Sequence, residues 1–189
     1  MFMKPVNTNT IIAIFLVLLV AIARIVNAYL LVPNMVPVAA VGLFSGAIIT
    51  NRKSLAFLIP LLGQFLGDLY FQFFTQIPGF YGIVGMLCNY SALICATALG
   101  VTLSQPKPVK IAGYLLGAST AFFLVSNLGF FLQGWNGYSL SGLSKTYVDA
   151  IPFYKYSLLG DMVGGTLLFG GYFLAARFFA ARAQKARIS

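Results

Sequence analysis

Long apolar segments take up nearly all of this chain, and they limit what it can fold into more than any other feature. Of its 189 residues, 60% are hydrophobic and only 8% are charged, and the mean hydropathy is +0.91. A water-soluble domain needs a polar shell, which so few charges cannot supply. The sequence therefore predicts an integral membrane protein that forms a single membrane domain over residues 1–189.

Six segments have the composition of membrane-spanning helices, and most contain roughly the 20 residues that cross about 30 Å of hydrocarbon. The predicted spans are 10–31, 36–50, 55–75, 82–103, 110–133 and 157–178, followed by a basic cytoplasmic tail over 179–189. The second span is short and rich in glycine and alanine, so we expect it to be tilted, broken or buried in the bundle. The predicted fold is an all-α bundle of six transmembrane helices.

Lysine and arginine lie mainly at one end of these spans. With six spans, nine basic residues fall on one side and two, Lys145 and Lys155, fall on the other, while Arg24 lies inside the first span. Positive residues favour the cytoplasmic side of a membrane. We therefore expect both termini inside and the longest loop, 134–156, outside. The same distribution explains the net charge of +9 better than nucleic-acid binding does.

The residue types that the chain lacks exclude several kinds of chemistry. There is no histidine, which removes imidazole bases, triads of the Ser-His-Asp type and most zinc sites. Cys88 and Cys95 are seven residues apart in one apolar segment, about 10.5 Å along a helix, which is too far for a disulfide. We predict that the chain is not an enzyme and that it carries no cofactor.

Polar side chains are concentrated in the outer halves of the predicted spans, while the inner halves carry almost none. Asp68 and Asp161 lie inside apolar segments, where a carboxylate is costly unless it has a partner or faces water. Aromatic residues follow in the outer loops. An apolar, aromatic cavity with a few convergent polar groups is the usual form of a small-molecule site. The sequence therefore predicts a binding site that opens outward.

The predicted substrate-binding residues are Asn34, Asp68, Tyr81, Cys88, Asn89, Asn127, Trp135, Tyr147 and Asp161. The asparagines and Asp68 would bind the polar edges of a ring-containing nutrient, and the aromatic residues would stack on it. We predict that the protein itself holds no metal.

Each of these features also has a structural interpretation, which the sequence leaves open. Arg24 could pair with Asp68 or Asp161 only to hold helices together. Asparagines could serve as hydrogen bonds between helices, the aromatic residues as an interfacial belt, and Cys88 as a small buried hydrophobe. The pairs Gly42-x-x-x-Gly46 and Gly160-x-x-x-Gly164 allow close helix approach, either within the bundle or against another membrane protein.

Several stretches of the chain resemble a known bacterial pattern. They include Pro33-Asn34-Met35-Val36-Pro37, Leu43-Phe44-Ser45-Gly46-Ala47, Gly67-Asp68-Leu69, Phe122-Phe123-x-x-Ser126-Asn127, Ala150-Ile151-Pro152-Phe153 and Ser157-Leu158-Leu159-Gly160-Asp161. Together they resemble a family of bacterial membrane proteins that is similar to the substrate-binding S-components of energy-coupling factor (ECF) vitamin transporters.

This resemblance implies a multi-pass protein of the bacterial inner (cytoplasmic) membrane that binds a vitamin or vitamin precursor near its outer face. S-components normally dock on a separate transmembrane partner and two ATPases, and this chain has no P-loop of its own. The first span lacks the Ala-x-x-x-Ala spacing that many S-components use for docking. The resemblance therefore also admits a solitary importer of the cobalamin-uptake type, in which a cysteine, here Cys88, would ligate cobalt.

Three functions compete for this sequence. The leading hypothesis is a substrate-binding subunit of an uptake transporter whose partners are a small-molecule nutrient, the lipid bilayer and, if it is not solitary, an ECF module. The second is an accessory membrane protein whose polar groups only hold the bundle together. The third is an outer-leaflet enzyme that uses Cys88 as a nucleophile or the aspartates as an acid/base pair. The chain has no histidine that could activate the thiol of Cys88.

Overall fold

In a computed structural model, the described residues 8–30, 32, 34–80 and 82–185 form six α-helices and no β-strand. The helices are α1 (Thr8–Tyr29), α2 (Val38–Ile48), α3 (Lys53–Phe74), α4 (Gly82–Thr102), α5 (Pro108–Leu132) and α6 (Leu140–Lys185). Among these described helices, all but α2 are long and apolar enough to cross a membrane. The prediction of an all-helical fold is confirmed, and five such helices agree with a multi-pass membrane protein.

The short helix α2 lies in the centre of the bundle. Every residue from Ala39 to Gly46 is buried, and the helix contacts all five of the others. A helix that is apolar all round has no face suited to water and is stable only when neighbours surround it. Its eleven residues extend about 16 Å, roughly half of a hydrocarbon core. The sequence left open whether this segment is tilted, broken or buried in the bundle, and the structure supports the last of these.

Small residues bring α2 against α4. Gly42 faces the side chains of Ala96 and Thr97, and Gly46 lies against the backbone of Thr97 and Gly100. A methyl group at position 46 would overlap that backbone. The Gly42-x-x-x-Gly46 pair is therefore used for packing inside the bundle and does not form an outer docking face.

The second small-residue pair also packs internally. Gly160 lies against the backbone of Met35 and Val36, and Gly164 lies against the ring of Pro37. The α1–α2 connection thus rests directly on α6, which fixes where α2 begins.

Contacts between the helices define two ends of the bundle. Helix α1 runs parallel to α3, since Val20 faces Gly63 and Arg24 faces Gly67. Helix α2 runs parallel to α4 through the glycine contacts described above. Helix α5 runs antiparallel to α6, since Leu115 meets Gly165 and Leu124 meets Tyr147. Together with the short connections between helices, these contacts show that successive helices alternate in direction, and that the α1–α2, α3–α4 and α5–α6 connections share one end. We call it the cavity end; the α2–α3 and α4–α5 connections form the opposite end.

The segment predicted as the longest outer loop, 134–156, is mostly helical. Helix α6 begins at Leu140 and continues for 46 residues, about 69 Å, which is more than twice the thickness of a hydrocarbon core. Hydropathy alone misplaced the start of this helix because its first turns are polar. An ion pair of Lys145 with Asp149, one turn apart, supports those turns, and Pro152 is accommodated inside the helix.

Candidate functional site

A cavity of about 560 Å³ lies between the helices at the cavity end. All six helices contribute side chains to its wall, from Arg24 on α1 and Val38 on α2 to Asp161 on α6. Its volume falls within the range of pockets that hold drug-sized ligands. The polar halves of the spans meet here because each helix carries its polar residues toward the same end.

Six of the nine predicted binding residues line this cavity. They are Asn34, Asp68, Asn89, Asn127, Trp135 and Asp161. Asn34 has a positive φ of 53°, a left-handed conformation that asparagine tolerates better than most residues. Trp135 lies at the mouth, with 69% of its surface exposed. That these residues bind a ligand stays a prediction.

The other three predicted residues are Tyr81, Cys88 and Tyr147. Tyr81 lies outside the described residues. Tyr147 donates a hydrogen bond to the carbonyl oxygen of Leu124 at 2.8 Å, and its ring packs edge-on against Phe123, which itself lines the cavity. Tyr147 is therefore held behind the wall and supports it.

The Cys88 side chain is directed toward α5 and not into the cavity. It lies against Gly129 of α5, whereas its neighbour Asn89 lines the cavity. Consecutive helical residues are rotated by about 100° from each other, so adjacent positions face different surroundings. The contact supports the interpretation of Cys88 as a small packing residue.

Arg24 pairs with Asp68, so the structure identifies which of the two acids is its partner. The guanidinium Nη2 lies 2.7 Å from Asp68 Oδ1, and Nη1 donates to the carbonyl oxygen of Gln64 at 2.6 Å. Tyr90 donates its hydroxyl to Asp68 Oδ2 at 2.9 Å. Gly67 makes room for the guanidinium, because a methyl group there would meet it. The carboxylate, only 4% exposed, is thus fully engaged by the protein.

Asp161 has a different partner, the first turn of the central helix. Its Oδ1 accepts a hydrogen bond from the backbone N–H of Ala40 at 2.9 Å, and the residue is 1% exposed. The first N–H groups of a helix have no partner within it and carry partial positive charge. Because Pro37 precedes α2 and supplies no side-chain cap, the carboxylate from α6 takes that role. The second buried acid thereby also finds a partner.

Asp161→Ala is expected to lower the free energy of unfolding by about 2 kcal/mol, because it orphans buried N–H groups at the start of α2. Asp161→Asn keeps an oxygen at the same place and should cost less than about 1 kcal/mol. Thermal unfolding in mild detergent measures both. Equal losses in the two variants would contradict the capping role.

One group of lining residues that the sequence interpretation missed comes from the first turns of α6. Thr146, Asp149, Ala150, Phe153 and Ser157 line the cavity, at intervals of one, three or four positions. Such spacing places residues on one face of a helix. The pattern was present in the sequence, but it was not used because all of these positions except Ser157 lie in 134–156, which was interpreted as a loop.

The fold and the site together define a class of protein: an all-helical bundle with a partly polar cavity at one end. Within that class, the chain belongs to a family of unknown function (DUF6580), whose model matches residues 4–184. No curated protein and no solved structure matches the chain.

Proposed function

We propose that this protein is the substrate-binding membrane subunit of an uptake transporter for a small-molecule nutrient, a vitamin or vitamin precursor. The observation that carries the proposal is the cavity, whose wall combines aromatic rings with amide and carboxylate groups from several helices. A purely structural bundle has no need of a chamber of this size at one end. The resemblance to S-components of ECF transporters supports the same function.

The distribution of charge supports an outward-facing cavity in a bacterial inner membrane with both termini cytoplasmic. Six basic residues of the described helices and connections lie at or toward the opposite end; they are Arg52, Lys53, Lys107, Lys110, Arg177 and Arg182. The first turns of α6, at the cavity end, carry Lys145 and Lys155. Because basic residues favour the cytoplasmic side, the cavity would face the medium from which a nutrient is taken up.

The cavity favours a cargo smaller than cobalamin. Its volume of about 560 Å³ suits a drug-sized molecule, and a corrin ring with its attached nucleotide is far larger. Cys88, the residue proposed as a cobalt ligand, packs against Gly129 and does not line the wall. Delivery of the cargo would depend on an ECF module or proceed without one, and an enzymatic role is not part of the proposal.

One observation favours a second candidate, an accessory protein that binds no small molecule. The two acids buried within the bundle each have a structural partner, Arg24 for Asp68 and the start of α2 for Asp161. The asparagines distinguish the candidates. Asn127 donates to the carbonyl oxygen of Phe123 on its own helix, and a carboxamide carries a further donor and an acceptor that a ligand could use.

Binding can be measured with the protein's own fluorescence, because Trp135 is the single tryptophan of the chain and lines the cavity. A panel of vitamins and precursors is titrated into the purified protein in detergent. We expect one compound to change the emission with saturation and to raise the unfolding temperature. Asn127→Ala should weaken that compound's binding by about tenfold, the loss of one or two hydrogen bonds.

The control for this titration is Asn51→Ala, an exposed position in the α2–α3 connection at the opposite end of the bundle, which is not among the described lining residues. It should bind the compound as the parent does. A protein whose fluorescence and thermal stability respond to no member of the panel would favour the accessory candidate.

A further inference from the structure

The three acids of the chain all line the cavity. The sequence contains three acidic and twelve basic residues. Asp68, Asp149 and Asp161 line the cavity, whereas Arg24 is the one basic residue among the described lining residues. A chain with a net charge of +9 thus places its negative charge in this chamber.

Two positive features of the wall, as far as the structure describes it, are already neutralised by the protein. Arg24 is bound to Asp68 and to the carbonyl oxygen of Gln64. The start of α2, which would otherwise attract an anion, is capped by Asp161. A ligand carboxylate or phosphate would therefore have to displace an aspartate from either feature, and it would meet a like charge in doing so.

Asp149 is the acid that remains most available to a ligand. It lies at the outer part of the cavity, and its partner Lys145 belongs to the same helix. Their ion pair is 2.7 Å long, but the two side chains are 61% and 53% exposed. An exposed pair of this kind is weak because water screens it, so a cation in the cavity can compete with Lys145 for the carboxylate.

Aromatic rings form much of the remaining wall. Eight of the described lining residues are aromatic, among them Phe130, Trp135, Phe153 and Tyr154. The face of an aromatic ring attracts a cation, and tryptophan does so most strongly. Rings also stack on flat ring systems. An acid beside several aromatic faces is a setting suited to an organic cation.

We propose that the ligand of this cavity is a small ring-containing molecule with a positively charged nitrogen, which the rings near Trp135 and the carboxylate of Asp149 hold. This rests on the proposed function and narrows its substrate to the cationic class. Anionic nutrients would be excluded, since both positive features of the wall are occupied.

The test uses three probes of similar shape and different charge: benzyltrimethylammonium, benzyl alcohol and phenylacetate. Each is titrated into the full chain in detergent, with Trp135 emission as the signal and calorimetry as an independent readout. We expect the ammonium probe to bind about tenfold more tightly than either of the others. The same titrations with a vitamin panel show whether the cavity binds a nutrient of any charge.

Two variants of opposite charge change then test the role of Asp149. Asp149→Asn should reduce binding of benzyltrimethylammonium by about fivefold and leave benzyl alcohol unchanged. Lys145→Gln, one turn away, frees the carboxylate and should strengthen binding of the ammonium probe. Both side chains are more than half exposed, so both variants are expected to fold.

The possible results separate this inference from the proposed function. Tighter binding of phenylacetate than of the ammonium probe, or equal effects of the two variants, would overturn the preference for cations. Saturable binding of a neutral or anionic vitamin would do the same and leave the transporter subunit standing. If neither the probes nor any vitamin bind, both the inference and the proposed function are wrong.

Discussion

Arg24→Met is expected to lower the free energy of unfolding by about 3–5 kcal/mol, the cost of breaking a buried ion pair by removing one partner. The substitution keeps much of the length and apolar contact of the side chain but removes the guanidinium. Asp68, 4% exposed, would then keep only its hydrogen bonds from Tyr90 and Gln64. Those groups do not supply the opposite charge that Arg24 provides at 2.7 Å.

A double variant identifies the cause of this loss. Arg24→Met combined with Asp68→Asn removes the uncompensated charge, and the amide still accepts a hydrogen bond from Tyr90. We expect the double variant to be more stable than Arg24→Met alone, because the two residues are directly coupled. Removing a charge at the opposite end, with Arg52→Met, should change stability by less than about 0.5 kcal/mol.

Thermal or denaturant unfolding in one detergent gives the stability of the unsubstituted protein, the two single variants and the double variant. If Arg24→Met behaves like Arg52→Met, the pair contributes nothing to the fold and Arg24 is free to bind a ligand. In that case Arg24 could also bind an anionic ligand, and only the start of α2, capped by Asp161, would remain closed to anions.

Gly46→Ala is expected to destabilise the protein by about 3 kcal/mol, at the upper end of the cost of overpacking. A methyl group at this position would overlap the backbone of Thr97 and Gly100. Backbone atoms of a packed helix cannot move aside as the end of a flexible side chain can. The central helix would have to separate from α4, and its other contacts would weaken with it.

The matched control is Gly113→Ala on α5, where a methyl group would meet no atom within 4 Å. Alanine is the better helix former, so this variant should be neutral or more stable by up to about 1 kcal/mol. The same unfolding measurement compares the two substitutions. If both glycines tolerate alanine equally, α2 and α4 do not pack as closely as the structure shows.

The helices themselves were predictable because their signal is local. A run of about 20 apolar residues bounded by charges predicts a spanning helix whatever lies beside it. For α1, α3, α4 and α5, the observed bounds lie within three residues of the predicted ones. The prediction was wrong at the start of α6, where polar residues such as Lys145 and Asp149 belong to a helix that begins before the apolar segment.

The sequence predicted how deep in the bundle each site residue lies, but not the side of its helix on which the side chain lies. Position along the chain gives the height of a residue in the bundle, and Asn89, Asn127 and Asp161 line one cavity as that height predicts. Direction around each helix depends on which neighbours surround it. Cys88 has nearly the same height as Asn89 but packs against Gly129, so height alone could not separate the two.

The sequence by itself determined that this chain is a bundle of apolar helices with its polar groups gathered toward one end, since length, hydropathy and charge position act locally. Only the tertiary structure decided that Arg24 binds Asp68 and that Asp161 caps the central helix. Arg24 and Asp68 are 44 positions apart in the sequence, and Ala40 and Asp161 are 121 positions apart. Both pairings depend on the order of the helices around the bundle, and side-chain packing among all six helices fixes that order.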